Sequence, residues 1–526
     1  MELMRKNGGG MLGFSVILLV LIFVLAGCGN GSGLAPIDRD FGLAQVGGEN
    51  EAANNTNEAS DEDIVILPRL GGTLNVAMPM VQTLNPLLNS DRNLAQVLRL
   101  IFEPLVIFDD EHNPIPNPAI VQSIIFAPSG QSLTITLEEG IFWEDGTAIT
   151  ADDIAFSIDI LRHQAPQTAV YRANVAYVVS HNIANPQTIN INLSQPMYRM
   201  MYLLDFPIIP RHYYQGTSMS NLRAPRNMHP IGNGPFRFYN YTLATRLELI
   251  ANDGAPGGRP YIDNINGVVL RDMADAYYAF ERGIVDAMVV GEADFGRFRA
   301  MGKTRAVDMR AIEFDIIGFN HNRPIFYDLG VRMAIAGAMD GGARELFDYM
   351  GFTVGDEGIL QRQVSPVLPP ILLKMDIIVN EENPQSVAYA ERLYKELTEA
   401  GVGASLYALA LDDFLDRLDN GDFCLVVGTA TDSTVSGINF LSSGNIFGYA
   451  TSRLNALLSD IDRASNAANL SYATQQARRY VAENFPIIFL GERGRALFVS
   501  EGVHGALNVS GEDVFRGVSR WFITTQ

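Results

Sequence analysis

Between Met375 and Val427 the apolar pattern switches period four times, and that alternation restricts the fold more than any other stretch of the chain. Met375–Val379 is an apolar run of strand length. Asn383 and Pro384 then supply a helix cap and a first-turn proline. Val387, Ala390, Leu393, Tyr394 and Leu397 follow on one stripe, which Gly401 stops. A strand is expected at Ser405–Leu411, a short acidic helix at Asp412–Asp419, and an apolar strand at Phe423–Val427. Strand, helix, strand, helix, strand is the order of a parallel sheet wrapped by helices, so the fold class is α/β. Upstream, Gly72–Ala77 and Ser132–Leu137 alternate as strands do. Thr150 with Asp153 opens a helix that carries Ile154, Ile158 and Leu161 on one face. No short internal repeat is present, which sets aside solenoids and propellers.

The N-terminus fixes where such a body works. Arg5 and Lys6 precede an apolar run from Met11 to Ala26, and Leu25-Ala26-Gly27-Cys28 follows. That is the order of a secretory signal, and the run falls short of the roughly 20 apolar residues of a spanning helix. It resembles a bacterial lipoprotein signal, in which Cys28 becomes the lipidated first residue of the mature protein. An uncleaved anchor helix is the alternative, and either way the body is exported and tethered. Residues 1–27 are read as signal peptide. Residues 28–67, rich in Gly, Asn, Ala and acids, are read as a flexible acidic linker that cannot bury enough surface to order itself.

The chain has 526 residues, 47% of them hydrophobic, enough for a large core or several domains. A formal charge of -21 argues against nucleic acid, which wants a basic face. The two cysteines are Cys28 and Cys424, and the latter reads as a small buried hydrophobe. They offer neither a disulfide framework nor metal-type spacing. No hydrolase elbow, zinc-protease motif or phosphate loop is present, so the chain reads as non-catalytic, with no cofactor and no metal. Glu138-Glu139 flanks a strand end and Asp152-Asp153 opens a helix, so local structure explains both pairs. Of the scattered histidines, only His321 beside Asn320 is a candidate metal ligand.

Several blocks then carry a resemblance. They include Leu84–Leu87 (LNPL), Ile101–Val106 (IFEPLV), Leu137–Thr147 (LEEGIFWEDGT), Thr150–Ser157 (TADDIAFS) and Gly232–Phe236 (GNGPF). Phe280–Asp286 (FERGIVD), Gly318–Asn320 (GFN), Val331–Asp340, Gly448–Leu457 and Asn484–Leu490 continue the order. The chain from about Gly71 onward is similar to the family 5 extracellular solute-binding proteins, the dipeptide, oligopeptide and nickel receptors of ABC importers. The resemblance implies a two-lobed, periplasmic-binding-protein-like fold with an extra subdomain in the N-terminal lobe. It would place the N-terminal lobe at 68–312 with the subdomain at about 83–229, the C-terminal lobe at 313–488, and a return at 489–526. The chain would cross near Glu313–Asn320 and return near Ile487–Gly491.

Two arguments meet at Asp432. Ligands of open parallel sheets lie outside the carboxyl ends of the strands, and Asp432 follows the expected Phe423–Val427 strand. In the family's peptide receptors a Gly-Trp-x-x-Asp stretch supplies the Asp that meets the ligand's amino group. Here Gly428-Thr429-Ala430-Thr431-Asp432 keeps the Asp and lacks the Trp. A turn cap with Ser433 is the plainer role. Asn320 ends a crossing strand, where it would fix the hinge or touch ligand. Arg362 precedes the paired prolines 369 and 370, after which the family's dipeptide receptors carry a carboxylate-binding Arg that is missing here. A helical segment of the family is also missing after Pro370.

The implied function is a lipid-anchored, monomeric receptor on the extracytoplasmic face of the cell membrane. It would capture a short peptide and hand it to ABC permease subunits. The alternatives are the same fold holding a nickel chelate, a sugar or another small polar solute, or a tethered sensor or scaffold without import.

Overall fold

The computed structural model describes residues 67–110, 113–309, 311, 313–431, 438–442, 444–505, 507–511 and 513–524. The signal, Cys28, the linker and Asp432 lie outside them. Among the described residues no helix is long and apolar enough to cross a membrane.

Two large sheets organise the body. A seven-stranded sheet runs in the order 304–309, 495–500, 287–291, 73–78, 264–269, 246–251, 236–242. Its central strand Thr73–Met78 pairs in parallel with both neighbours, and the outer pairs are antiparallel. A five-stranded sheet runs 403–409, 374–380, 425–431, 313–319, 487–492. Its first three strands are parallel, and Glu313–Phe319 runs antiparallel between Leu425–Thr431 and Ile487–Glu492.

The alternation seen in the sequence is the parallel part of the five-stranded sheet. Met375, Ile377, Ile378 and Val379 are all buried, because helices cover both faces. One face packs against Leu329–Ala338, Ala343–Tyr349 and Pro384–Glu399, the other against Ser452–Asp462 and Ala467–Asn484. The Pro384–Glu399 helix starts as its sequence dictates: Asn383 Oδ1 accepts the Ser386 N–H at 3.2 Å, and Pro384 fills the first turn. Gly401, at φ +94°, ends it.

Some boundaries move. The third parallel strand is Leu425–Thr431 rather than Phe423–Val427, because Gly428 to Thr431 pair with Ile316 to Glu313. The second is Gly403–Leu409, and the acidic helix is Leu411–Asp419. The crossings expected near Glu313–Asn320 and Ile487–Gly491 coincide with the strands Glu313–Phe319 and Ile487–Glu492, which are ladder partners inside the five-stranded sheet. The chain passes between the sheets just outside them, from Met309 to Glu313 and from Glu492 to Arg495.

A four-stranded antiparallel sheet (121–126, 132–137, 188–193, 178–185) shares a core with the seven-stranded one. Ser132–Leu137 buries alternate residues as its pattern requires. The Ala151–His163 helix packs against it. Asp153 does more than open that helix: its carboxylate accepts from Thr150 N at 2.9 Å, Arg211 N at 2.8 Å and Trp143 Nε1 at 3.3 Å. Asp152 pairs with Arg211.

Candidate functional site

The carboxyl ends of the three parallel strands, Asn380, Leu409 and Thr431, open beside both crossings. Thr431, the last described residue of its strand, pairs with Glu313 at the entry to the sheet. The rest of the site is built by residues far apart in sequence. Arg493, inside the second crossing, donates from Nε to Asp315 Oδ1 at 2.9 Å and from Nη2 to Asn383 Oδ1 at 2.9 Å. Ser386 Oγ accepts from Nη2 at 3.3 Å. Thr429 Oγ1 donates to Asp315 Oδ1 at 3.4 Å, and Asn383 Nδ2 donates to Thr429 Oγ1 at 3.4 Å. The Asp315 side chain is 1% exposed, and its Oδ2 has no hydrogen-bond partner among the described residues. A buried carboxylate oxygen without a partner marks a place where a water or another polar group belongs. Asp315 also sits where the register of Ile487–Glu492 shifts, which bends that edge strand next to the crossing.

The two described residues named from sequence are committed elsewhere. Asn320 is 2% exposed, and its Nδ2 donates to the carbonyls of Gly421 and Phe423, each at 2.9 Å. Its Oδ1 accepts the Asn322 N–H at 3.1 Å. Both amide hydrogens fasten the turn before Leu425–Thr431 while Oδ1 holds the turn after Asn320 itself, so the side chain braces the end of Glu313–Phe319 against its neighbour. Arg362 lies on a small three-stranded sheet, 2.9 Å from Asp328 Oδ2 and over the Phe352 ring at 4.6 Å. Asp328 in turn caps Leu329–Ala338, so Arg362 braces that helix start. Pro370 leads directly into the last strand of that small sheet, Ile371–Leu372.

His321 is 6% exposed, its Nε2 lies 2.8 Å from the Pro486 carbonyl, and burial pushes its pKa down to about 4. With one nitrogen on a carbonyl and the ring against Tyr449 at 4.5 Å, it is packed as a neutral core residue. Among the described residues no group of three or more His, Cys, Asp or Glu side chains is arranged to hold a metal ion. Burial pushes the Cys424 thiol up to about 11, which leaves it unreactive near neutrality.

Away from the crossings, the four-stranded assembly meets the Ser452–Asp462 helix end. Arg199 Nη2 lies 3.0 Å from Asp462 Oδ1, and Tyr198 N donates to Ala464 O at 2.6 Å. Arg199 is buried, so Arg199→Ala strands Asp462 and opens this contact. The expected outcome is a larger radius of gyration by small-angle X-ray scattering and faster proteolysis between the two sheet assemblies; unchanged scattering would rule out a restraining role.

Residues 116–341 match the sequence model of the bacterial extracellular solute-binding proteins, family 5 (middle region). A Brucella ovis protein named as an ABC transporter peptide-binding protein is 29% identical over 242 residues, 45% of either chain. Over residues 116–341 the chain is similar to this family. That alignment thus spans less than half the length of the relative. In solved structures of the family's fold, the ABC transporter substrate-binding protein CtaP of Listeria monocytogenes superposes with a TM-score of 0.72 at 18% identity. The superposition covers 87% of this chain and all 100% of CtaP. The oligopeptide-binding protein AppA of Bacillus subtilis, solved with a nonapeptide, gives 0.64 at 18% identity over 87% of this chain and 100% of AppA. The fold is therefore the two-lobed one of these solved binding proteins: the seven-stranded sheet with the four-stranded assembly forms one lobe, the five-stranded sheet the other.

Proposed function

We propose that this chain is the peptide-capturing component of an ABC importer, tethered by a lipid on Cys28 to the extracytoplasmic face of the cell membrane. It works as a non-catalytic monomer whose lobes close on a short peptide and then dock on the permease subunits. One observation carries the reading: Asp315, Asn383, Thr429 and Arg493 converge at the carboxyl ends of the parallel strands, beside both crossings, and Asp432 comes next in sequence. A hinge there needs only a few residues to absorb the backbone change. An extended peptide lying across strand ends is held through its main chain and termini, which tolerates varied side chains. The family's named peptide binders and the nonapeptide seated in AppA support that ligand class.

Mass spectrometry of what co-purifies with residues 67–526 tests the ligand. A ladder of short peptides is expected, and Asp432→Asn should weaken their binding by about tenfold or more through loss of a charge-assisted hydrogen bond to the amino group. A single non-peptide species, whether a chelate or a sugar, would keep the fold and overturn the substrate. For the tether, Cys28→Ser should release the protein from the membrane fraction.

A further inference from the structure

We propose that Arg493 anchors a carboxylate of the bound solute through its Nη1. This rests on the reading that the solute is a peptide. The guanidinium is fixed along one side and open on the other. Nε and Nη2 are taken by Asp315, Asn383 and Ser386, whereas Nη1 makes no hydrogen bond among the described residues. The side chain remains 21% exposed. A planar guanidinium held in this way presents its free N–H groups to an oxyanion with little further loss of freedom.

Fastening the crossing does not by itself call for this arrangement. Burying Asp315 beside Arg493 carries a desolvation cost that a well-packed apolar pair would avoid. The backbone already fastens the crossing, since Arg493 N donates to Glu313 O at 2.9 Å. What the ion pair adds is a cation of fixed orientation between the lobes. The site also adjoins the start of the 16-residue Pro384–Glu399 helix, whose dipole favours an anion there. Asn383 and Ser386 of that helix start are the same residues that hold Nη2. Arg362, the guanidinium nearest the paired prolines in sequence, already faces Asp328.

The test compares three pools of random tri- to pentapeptides by equilibrium dialysis. One is free-acid without Asp or Glu, one is C-terminally amidated without Asp or Glu, and one is amidated with a single acidic residue. The wild-type protein should retain a carboxylate-bearing pool about tenfold better than the carboxylate-free pool, the effect of one hydrogen bond to a charged group. Preference for the first pool assigns the peptide terminus, and preference for the third an acidic side chain. The double variant Asp315→Asn with Arg493→Gln removes both charges while keeping amide hydrogen bonding. It should lose the preference, retaining the carboxylate-bearing pools no better than the carboxylate-free one. Arg493→Lys keeps the ion pair without Nη1 and should also lose the preference. Equal retention of all pools by the wild type, or a preference that survives in both variants, overturns the anchor and leaves the peptide reading standing. Retention of no pool by the wild type overturns the peptide reading, and the anchor with it.

Discussion

Gly232→Ala should destabilise the N-terminal lobe by about 4 kcal/mol or more, among the largest effects of any single substitution. A Cβ at this position would stand 2.0 Å from the Ile101 carbonyl oxygen and 2.6 Å from Ile101 Cγ2. No rotamer relieves the first contact, because the backbone fixes the Cβ position and the oxygen belongs to the main chain. The same carbonyl accepts from Asn233 N at 3.0 Å and Gly234 N at 2.7 Å. Around it, Asn233 Oδ1 accepts the Glu103 N–H at 2.9 Å and Gly232 O accepts the Glu144 N–H at 3.0 Å. Pushing Ile101 away therefore strains the core and breaks several hydrogen bonds, each worth about 1 kcal/mol. Both tryptophans of the chain, Trp143 and Trp521, are fully buried in this core, so intrinsic fluorescence reports its unfolding directly. Gly296→Ala is the matched control: its Cβ meets nothing within 4 Å and should change stability by less than about 0.5 kcal/mol. A Gly232→Ala protein that melts with the wild type would show that the loop yields freely.

The block around Gly232 was visible in the sequence, yet its reason was not. A glycine motif signals close approach without saying what approaches, and Ile101 lies far upstream. The same limit governs the site. The β-α-β-α-β unit was legible because its strands are buried on both faces and its helix carries a cap, a proline and a closing glycine in sequence. Its last strand was placed too early because residues 428–431 are held by Glu313–Phe319, a partner that no local pattern reveals. Asn320 was read as a residue type at a strand end, and only coordinates show both its amide hydrogens spent on Gly421 and Phe423. Arg493 is silent in the sequence. Its partners Asp315 and Asn383 lie 178 and 110 residues away, and an arginine between two strands carries no sequence signature.

Stability should fall as pH rises from about 4.5 to 7, and Glu103→Gln should remove much of that fall. Burial pushes both Glu103 and Glu144 up to about 7, against an ordinary glutamate value of 4.5. Asn117 Nδ2, donating to Glu103 Oε2 at 2.7 Å, offsets the burial only in part, and the Asp513 charge adds to it. Oε2 of Glu144 is buried with no hydrogen-bond partner among the described residues. For both, the folded protein keeps a proton that the unfolded chain releases, so the folded state binds more protons between 4.5 and 7. Their stabilisation is complete below 4.5 and gone above 7. With the partial exposure of both residues discounted, each contributes about 2 kcal/mol. His321 acts the other way, since its folded value near 4 lies below the ordinary 6.5 and its stabilisation disappears on acidification. It cancels roughly one carboxyl between 4.5 and 6.5, leaving the other to set the slope. Denaturant titrations at pH 5 and pH 8 separate these effects. Glu103→Gln should match the wild type at pH 5 and exceed it by about 2 kcal/mol at pH 8, because its amide needs no proton to remain neutral. A variant no more stable than the wild type at pH 8 would mean that Glu103 is ionised in the folded protein, with its charge solvated or paired in place.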